Sequence, residues 1–534
     1  MSETVQLFAL PLAAIALAVL SVVARVTKIA APIVLLLGGM AIAFVPGMPP
    51  VHVEPQLVLI TLLPPILYSS GVGMSWRGFR SNLRAILLLA IGCVIFTASA
   101  VAGLLYFVMG MPLAVGFVLG AIVSPPDAVA PAAVLRDVAV PRRVRTVLEG
   151  ESLINDATAL VAFSFAVGAV ATGAFEPARA ALSFIGILVS ETIYGCAIGW
   201  IALKARHYSN DPRSEVLLAL ATPYLAFLPA HELGGSGVIA TVVAGLWVSW
   251  NGRDLIRPQT RLQGYFIWDL VAWGVEGAAF LLTGLQVKAL GAAMQGFGWV
   301  HALAVAALTC VTVVVVRFAW VFPATYLPRM IPAIRRIDPP PHWRTPFFVA
   351  SAGVRGVVSM IAALSIPLMV GGKPFPERDT LLFATFAVIV MTMLGIGPFM
   401  GTLARLLGLT NEGAEERKGN SADERRVRRL GIEAVLAHLD TVEGNSCEAE
   451  EIEALKRRHG DRLHQLDGGR CSIDDESREA GHLQLDLIEI ERRTVSAEYL
   501  ENRLTDGARR RIERELDLEE ARVHHAIASI GGGH

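Results

Sequence analysis

Apolar stretches long enough to cross a bilayer recur over most of this 534-residue chain, and that recurrence limits the possible folds more than any other feature. A helix needs about 20 mainly apolar residues to span the hydrocarbon core, and in lipid only helices and closed barrels satisfy every backbone polar group internally. Thirteen stretches qualify, at roughly 5–24, 29–45, 55–73, 83–108, 112–135, 150–172, 179–203, 214–229, 236–250, 262–288, 299–327, 345–370 and 379–408. Charge is unevenly spread: 49 of the 93 Asp, Glu, Lys and Arg residues lie in the last 124 positions. The chain therefore divides into a transmembrane part, residues 1–410 with net charge +8, and a charged helical tail, residues 411–534 with net charge −9. The expected fold class is an all-α polytopic membrane protein with a cytoplasmic helical C-terminal domain.

Lys and Arg in short loops stay on the cytoplasmic side, because moving them across the bilayer is disfavoured. Loops after odd-numbered spans hold nineteen, including Arg77, Arg80, Arg84, Arg136, Arg142, Arg143, Arg145, Arg253, Arg257 and Arg329. Loops after even-numbered spans hold four: Arg179, Lys288, Lys373 and Arg378. The alternation predicts an N-terminus outside, a tail inside, and a multi-pass protein of the cell's inner membrane. In the tail, the spacing of Leu485, Ile488, Val495 and Leu500 suits amphipathic helices packed on one another or on a partner.

Several function classes are excluded. Five cysteines, at 93, 196, 310, 447 and 471, have neither disulfide-framework nor zinc-ligand spacing. No phosphate-binding glycine loop, nucleophile elbow or metal-ligand cluster supports an enzyme or a bound cofactor, and no nucleic-acid partner is expected.

The chemistry is carried by ionisable groups inside the spans, where each costs several kcal/mol and by default marks an ion or proton pathway. Span five contains Ser124-Pro125-Pro126-Asp127, whose prolines remove backbone donors and break the helix at membrane depth. Such a break is tolerated where it lines a cavity, and it leaves carbonyls and a half-helix end beside Asp127 to help hold a cation. Span six begins Gly150-Glu151-Ser152-Leu153-Ile154-Asn155-Asp156-Ala157-Thr158. Glu151 and Asn155 are four apart, as are Ser152 and Asp156, so the pairs stack along adjoining stripes of one helical surface. Span twelve supplies the counter-charge in Gly353-Val354-Arg355-Gly356, with glycines that permit an unwound or closely packed backbone. Arg355 cannot deprotonate to suit the membrane, so it needs a partner. With Asp127 and Asp156 left for ions, the expected partner is Glu151.

A carboxylate can hold a proton or a small cation but not both. If Asp156 is alternately exposed to the two sides, it exchanges one for the other. Asn155 beside it adds no second titrating proton, so one proton against one monovalent cation predicts electroneutral exchange. A potassium/proton antiporter and a proton-coupled organic-anion symporter remain as alternatives. A passive pore fits less well, since no carbonyl-filter repeat is present, and a membrane sensor would need a signalling motif after residue 410 that the tail lacks.

At these residues the chain resembles the bacterial branch of the sodium/proton exchanger type of monovalent cation:proton antiporter. Five motifs carry the resemblance: Leu63-Pro64-Pro65-Ile66-Leu67-Tyr68, the span-five Ser-Pro-Pro-Asp-Ala-Val-Ala, the span-six Glu-Gly-Glu-Ser-Leu-Ile-Asn-Asp-Ala-Thr, Phe280-Leu-Leu-Thr-Gly-Leu-Gln286, and Gly353-Val-Arg-Gly-Val-Val-Ser359. The resemblance implies inverted repeats, two broken crossing helices, a homodimer with a mobile core, and no cofactor beyond the transported sodium (or potassium or lithium) and protons. It implies Asp156, Asp127, Asn155 and Ser152 as ion-site residues, Glu151 and Arg355 as the ion pair, and Pro125, Pro126, Gly353 and Gly356 at the helix breaks. Three positions depart from the family pattern: Pro126 stands where many relatives carry Thr, Ser69 where an acid is frequent, and Glu276 where Asn is common. Glu276 is thereby a possible additional titratable group. These departures bear on ion preference, not on fold.

Overall fold

The computed structural model describes residues 3–46, 55–127, 131–133, 138–173, 177–209, 211–252, 255–256, 258–293, 298–441, 446–467, 484–495, 512 and 515–524. Arg136, Arg253, Arg257, Cys471, Leu500 and much of the second half of span five lie outside them. The chain forms two units, Met1–Ala414 and Glu415–His534.

The first unit is built from α1 (Glu3–Thr27), α2 (Ala31–Ala43), α3 (Pro55–Gly73), α4 (Trp76–Met109), α5 (Leu113–Val123), α6 (Arg142–Thr172), α7 (Pro177–Tyr208), α8 (Pro212–Glu232) and α9 (Val238–Asn251). It continues through α10 (Pro258–Leu285), α11 (Val287–Ala293), α12 (Trp299–Tyr326), α13 (Pro332–Ile337), α14 (Arg344–Ser351), α15 (Val357–Leu364), a two-residue β-hairpin (Met369–Val370 with Lys373–Pro374), α16 (Arg378–Gly395) and α17 (Met400–Leu406). Helix α18 (Leu409–Leu439) runs on past the unit boundary. Among the described residues six helices are long and apolar enough to cross a membrane, and five shorter apolar helices accompany them.

Two bundles make up the first unit. Helices α4, α5, α6, α12, α15 and α16 pack together, with Val118, Ile122, Val305, Val313, Met360 and Val388 in their shared core. Helices α2, α3, α7, α9 and α10 form the other. With no hydrophobic drive between helices in lipid, contact is set by small residues that let backbones approach. Gly71 of α3 lies so close to α9 that a Cβ there would stand 2.9 Å from the Val242 carbonyl oxygen, and Gly245 faces the Tyr68 carbonyl in return.

Helix α4 carries a π-turn over Leu88–Cys93. Such a turn frees a carbonyl, and here the indole Nε1 of Trp320 donates to Leu88 O at 2.9 Å while its ring presses on Gly92. At one end of this bundle three arginines converge on Asp338: Arg143 and Arg329 at 2.7 Å, and Arg84. All four residues come from loops or helix ends expected on the same membrane face.

In the second unit, α19 (Ser446–Asp467) precedes helical segments at 484–495 and 515–524. Ile488, Leu516 and Val523 bury one another there with Leu485 and Ile512, and Arg492 bridges to Asp517 and Glu520.

Candidate functional site

The breaks in α5 and between α14 and α15 create the site by leaving backbone groups without helical partners. Pro125 and Pro126 have no N–H to give to the carbonyls four residues back, Ala121 and Ile122. The Ser124 hydroxyl serves Ala121 O at 2.9 Å. The next amide, Asp127 N, turns away from α5 and donates to Val354 O of the other broken segment at 2.7 Å. That bond fixes where the two interruptions cross.

Arg355 completes the crossing. Its Nε donates to Val123 O, the last carbonyl of α5, and its Nη1 to Gly353 O at 2.8 Å; its backbone N donates to the Thr392 hydroxyl at 3.1 Å. A cation at a helix C-terminus complements the negative end of the macrodipole. Gly356 precedes α15, and a Cβ there would stand 2.5 Å from the Asp127 Cβ and Cγ, so only glycine admits the aspartate. Asp127 consequently sits at the start of α15, where amide donors and the positive dipole end favour a carboxylate.

Helix α6 passes beside this crossing. Asn155 is fully buried, and its Nδ2 donates to Pro126 O at 2.7 Å, serving another acceptor exposed by the break. Its Oδ1 has no hydrogen-bond partner among the described residues. Asp156 is partly exposed, and among the described residues the charge acting on it is Asp127. Two adjacent carboxylates repel when both are bare, so their arrangement favours a cation or a proton between them. Ser152 is half-buried one turn earlier on the same helix. Glu276 is half-buried on α10.

The expected pairing of Glu151 with Arg355 is corrected. Glu151 is held by Arg317 of α12, with Nη1–Oε1 at 2.6 Å and Nη2–Oε2 at 2.9 Å, both side chains buried. Arg317 Nη2 also donates to Val349 O near the end of α14, at 3.1 Å. Sequence counting shows that a buried arginine needs acceptors but assumes they are carboxylates. The broken helices offer carbonyl oxygens instead, and Arg355 takes those. Arg317 was missed although its signal was present, an arginine after Val313-Val-Val-Val316 in the middle of an apolar span.

A cleft of about 1000 Å³ separates the two bundles and is lined by Ile60 of α3, Leu160 and Ser164 of α6, Leu364 and Ser236 among others. Leu160 lies four residues beyond Asp156, about 6 Å of helical rise. The cleft wall thus comes about one turn from the carboxylate along α6. Beside the cleft, Leu63, Leu67, Leu153, Ala157, Val242 and Leu246 pack into an apolar contact between the two bundles.

Two broken helices that cross beside a pair of membrane-depth carboxylates are the architecture of a secondary transporter of cations, and the chain belongs to the family described as "Sodium/hydrogen exchanger, transmembrane", whose model matches residues 12–405. It is a membrane antiporter, not an enzyme, and exchanges cations for protons without a cofactor. An uncharacterized Na(+)/H(+) exchanger of Mycobacterium tuberculosis (strain ATCC 25618 / H37Rv) is 32% identical over 93% of this chain and 92% of its own. The Na(+)/H(+) antiporter ApNhaP of Aphanothece halophytica is 31% identical over 77% of this chain and 75% of its own. The sodium proton antiporter MjNhaP1 of Methanocaldococcus jannaschii shares the fold, with a TM-score of 0.59 at 19% identity over 76% of this chain and 99% of that one.

Proposed function

We propose that Asp156 is the exchanging group, taking either one proton or one monovalent cation, with Asp127, Asn155 and Ser152 completing the cation's oxygen shell. The observation that carries this reading is the partly exposed Asp156 one turn below the cleft, beside Asp127 and the free Asn155 Oδ1. Glu151 takes no part in ion binding, since both its oxygens are engaged by Arg317. One carboxylate cycling one charge makes the exchange electroneutral.

Alternating access follows from the two bundles: one carries α5, α6 and the broken α14–α15, and moves against the other past the apolar seal of Leu63, Leu153 and Val242. The alternation of basic loops supports thirteen crossing helices, an outside N-terminus and a cytoplasmic tail from about residue 411. On that orientation the cleft opens outward, because it is lined by Arg378 and Asp379 at the external end of α16. The protein works as a homodimer in the cell membrane, serving pH homeostasis.

Potassium transport is a second reading. A Bacillus subtilis (strain 168) relative named "Sodium, potassium, lithium and rubidium/H(+) antiporter" is 32% identical over 67% of this chain and 55% of its own. Proteoliposomes with an imposed proton gradient and a pH-sensitive dye, given each alkali chloride in turn, decide the ion. Dequenching with sodium that is unchanged when valinomycin clamps the voltage is the expected result; a rate that follows voltage overturns electroneutral exchange.

A further inference from the structure

Glu191 lies in the middle of α7, is 3% exposed, and has no role in the exchange described above. Its carboxylate is surrounded by donors from the start of α9. Oε1 accepts from Ser236 N, from Gly237 N at 3.0 Å and from the Ser236 hydroxyl at 3.1 Å; Oε2 accepts from the same hydroxyl at 3.1 Å and from Ala240 N at 3.3 Å. Helix α9 needs this help. Its N-cap is Gly237, in the left-handed region at φ 70°, and has no side chain to cap the first-turn amides. Gly235 leaves the space the carboxylate occupies, since a Cβ there would strike Glu191 Oε1. Below this point the two helices stay in close register: Cβ atoms on Gly195 and Gly199 of α7 would press on Ala240, Val243 and Trp247 of α9.

Helix α9 is also the wall that meets the moving bundle. Its Val238, Ile239, Val242 and Leu246 pack with Leu153 and Ala157, the buried residues on either side of Asp156 on α6. Loss of the Glu191 cap frees the end of α9 that bears Val238 and Ile239. The geometry points to Glu191 as a positioning residue for transport: a side chain from α7 that caps α9 and fixes the surface along which the Asp156 helix slides. It rests on the exchange reading, but Glu191 itself holds no ion, because every oxygen is already turned to a donor of α9.

Purified, reconstituted protein tests this with Glu191→Gln, Ser236→Ala and Asp156→Asn, each checked for monodispersity and melting temperature. In Glu191→Gln the new amide nitrogen faces the Ala240 N–H, donor against donor. The expected result is a Vmax for sodium-driven exchange reduced about tenfold, with apparent KM and the midpoint of the pH profile unchanged. Ser236→Ala keeps the amide contacts and should lower Vmax about threefold. Wild-type Vmax in a folded Glu191→Gln, or a raised KM or moved pH midpoint, overturns the proposal. If Glu191→Gln does not fold, Ser236→Ala decides, and an unchanged Vmax there overturns it. Activity surviving in Asp156→Asn instead counts against the exchange reading and leaves the Glu191 result to be read separately.

Discussion

Arg317 and Arg355 are both buried within spans, yet the structure gives them different work. Arg317 forms a two-pronged pair with Glu151, while Arg355 donates to the ends of broken helices. Removing one member of a buried pair leaves the other charge without compensation, at a cost of about 3–5 kcal/mol. Arg317→Met should therefore lower the melting temperature strongly, and adding Glu151→Gln should restore most of it; the same Gln substitution added to Arg355→Met should restore little. Differential scanning fluorimetry in detergent separates these cases, and equal rescue of both arginine variants would contradict the assigned pairing. Gly356 makes a steric statement about the site itself. Gly356→Ala drives a methyl into Asp127, so the variant should lose transport by tenfold or more even where it is inserted and folded. Retained exchange in vesicles would mean that Asp127 does not sit against α15.

At the element scale the two helix breaks were legible in the sequence, because proline removes a donor wherever it stands and an aspartate at membrane depth demands a reason. The cluster of Asp127, Asn155 and Asp156 was legible for the same cause. The recipients of each hydrogen bond were not. A sequence displays side chains, whereas a broken helix supplies backbone acceptors at Val123, Pro126, Val349 and Gly353, visible only once the segments cross. Glu191 escaped for a related reason: it caps a helix from another helix, and no local spacing records that. Where a cap is local, it can be read directly. Asp211 accepts from the Ser214 backbone N–H at 3.0 Å at the start of α8, and that bond holds its carboxyl below the usual carboxylate range. The stabilisation is therefore complete above the unfolded value of about 3.9 and is lost as pH falls through the lower folded one. Asp211→Ala should flatten the acid limb of the melting-temperature profile and leave the neutral limb parallel to wild type; an unchanged acid limb would remove the cap from the account.

For the whole molecule, the division of charge at about residue 410 lies close to the boundary between two compact units at Ala414 and Glu415. The start of α18 belongs to the first unit, where Gly413 abuts the backbone at Ala139 and Val140. Truncation after Asp440 keeps that contact and removes most of the tail. It should leave sodium-driven exchange within about twofold of the full chain, as expected for a unit with its own core. A loss of tenfold or more in dye dequenching would make the tail part of the transport machinery.

The claim on which transport depends is that one side chain releases its proton when it takes up a cation. Counting protons released per sodium bound, by titrating weakly buffered purified protein with sodium chloride beside a pH indicator, measures this directly. The account predicts close to one proton per bound sodium in the wild type near the pH where exchange is half-maximal, and none in Asp156→Asn. Sodium bound with no proton released, or release that survives in the Asp156 variant, would contradict it.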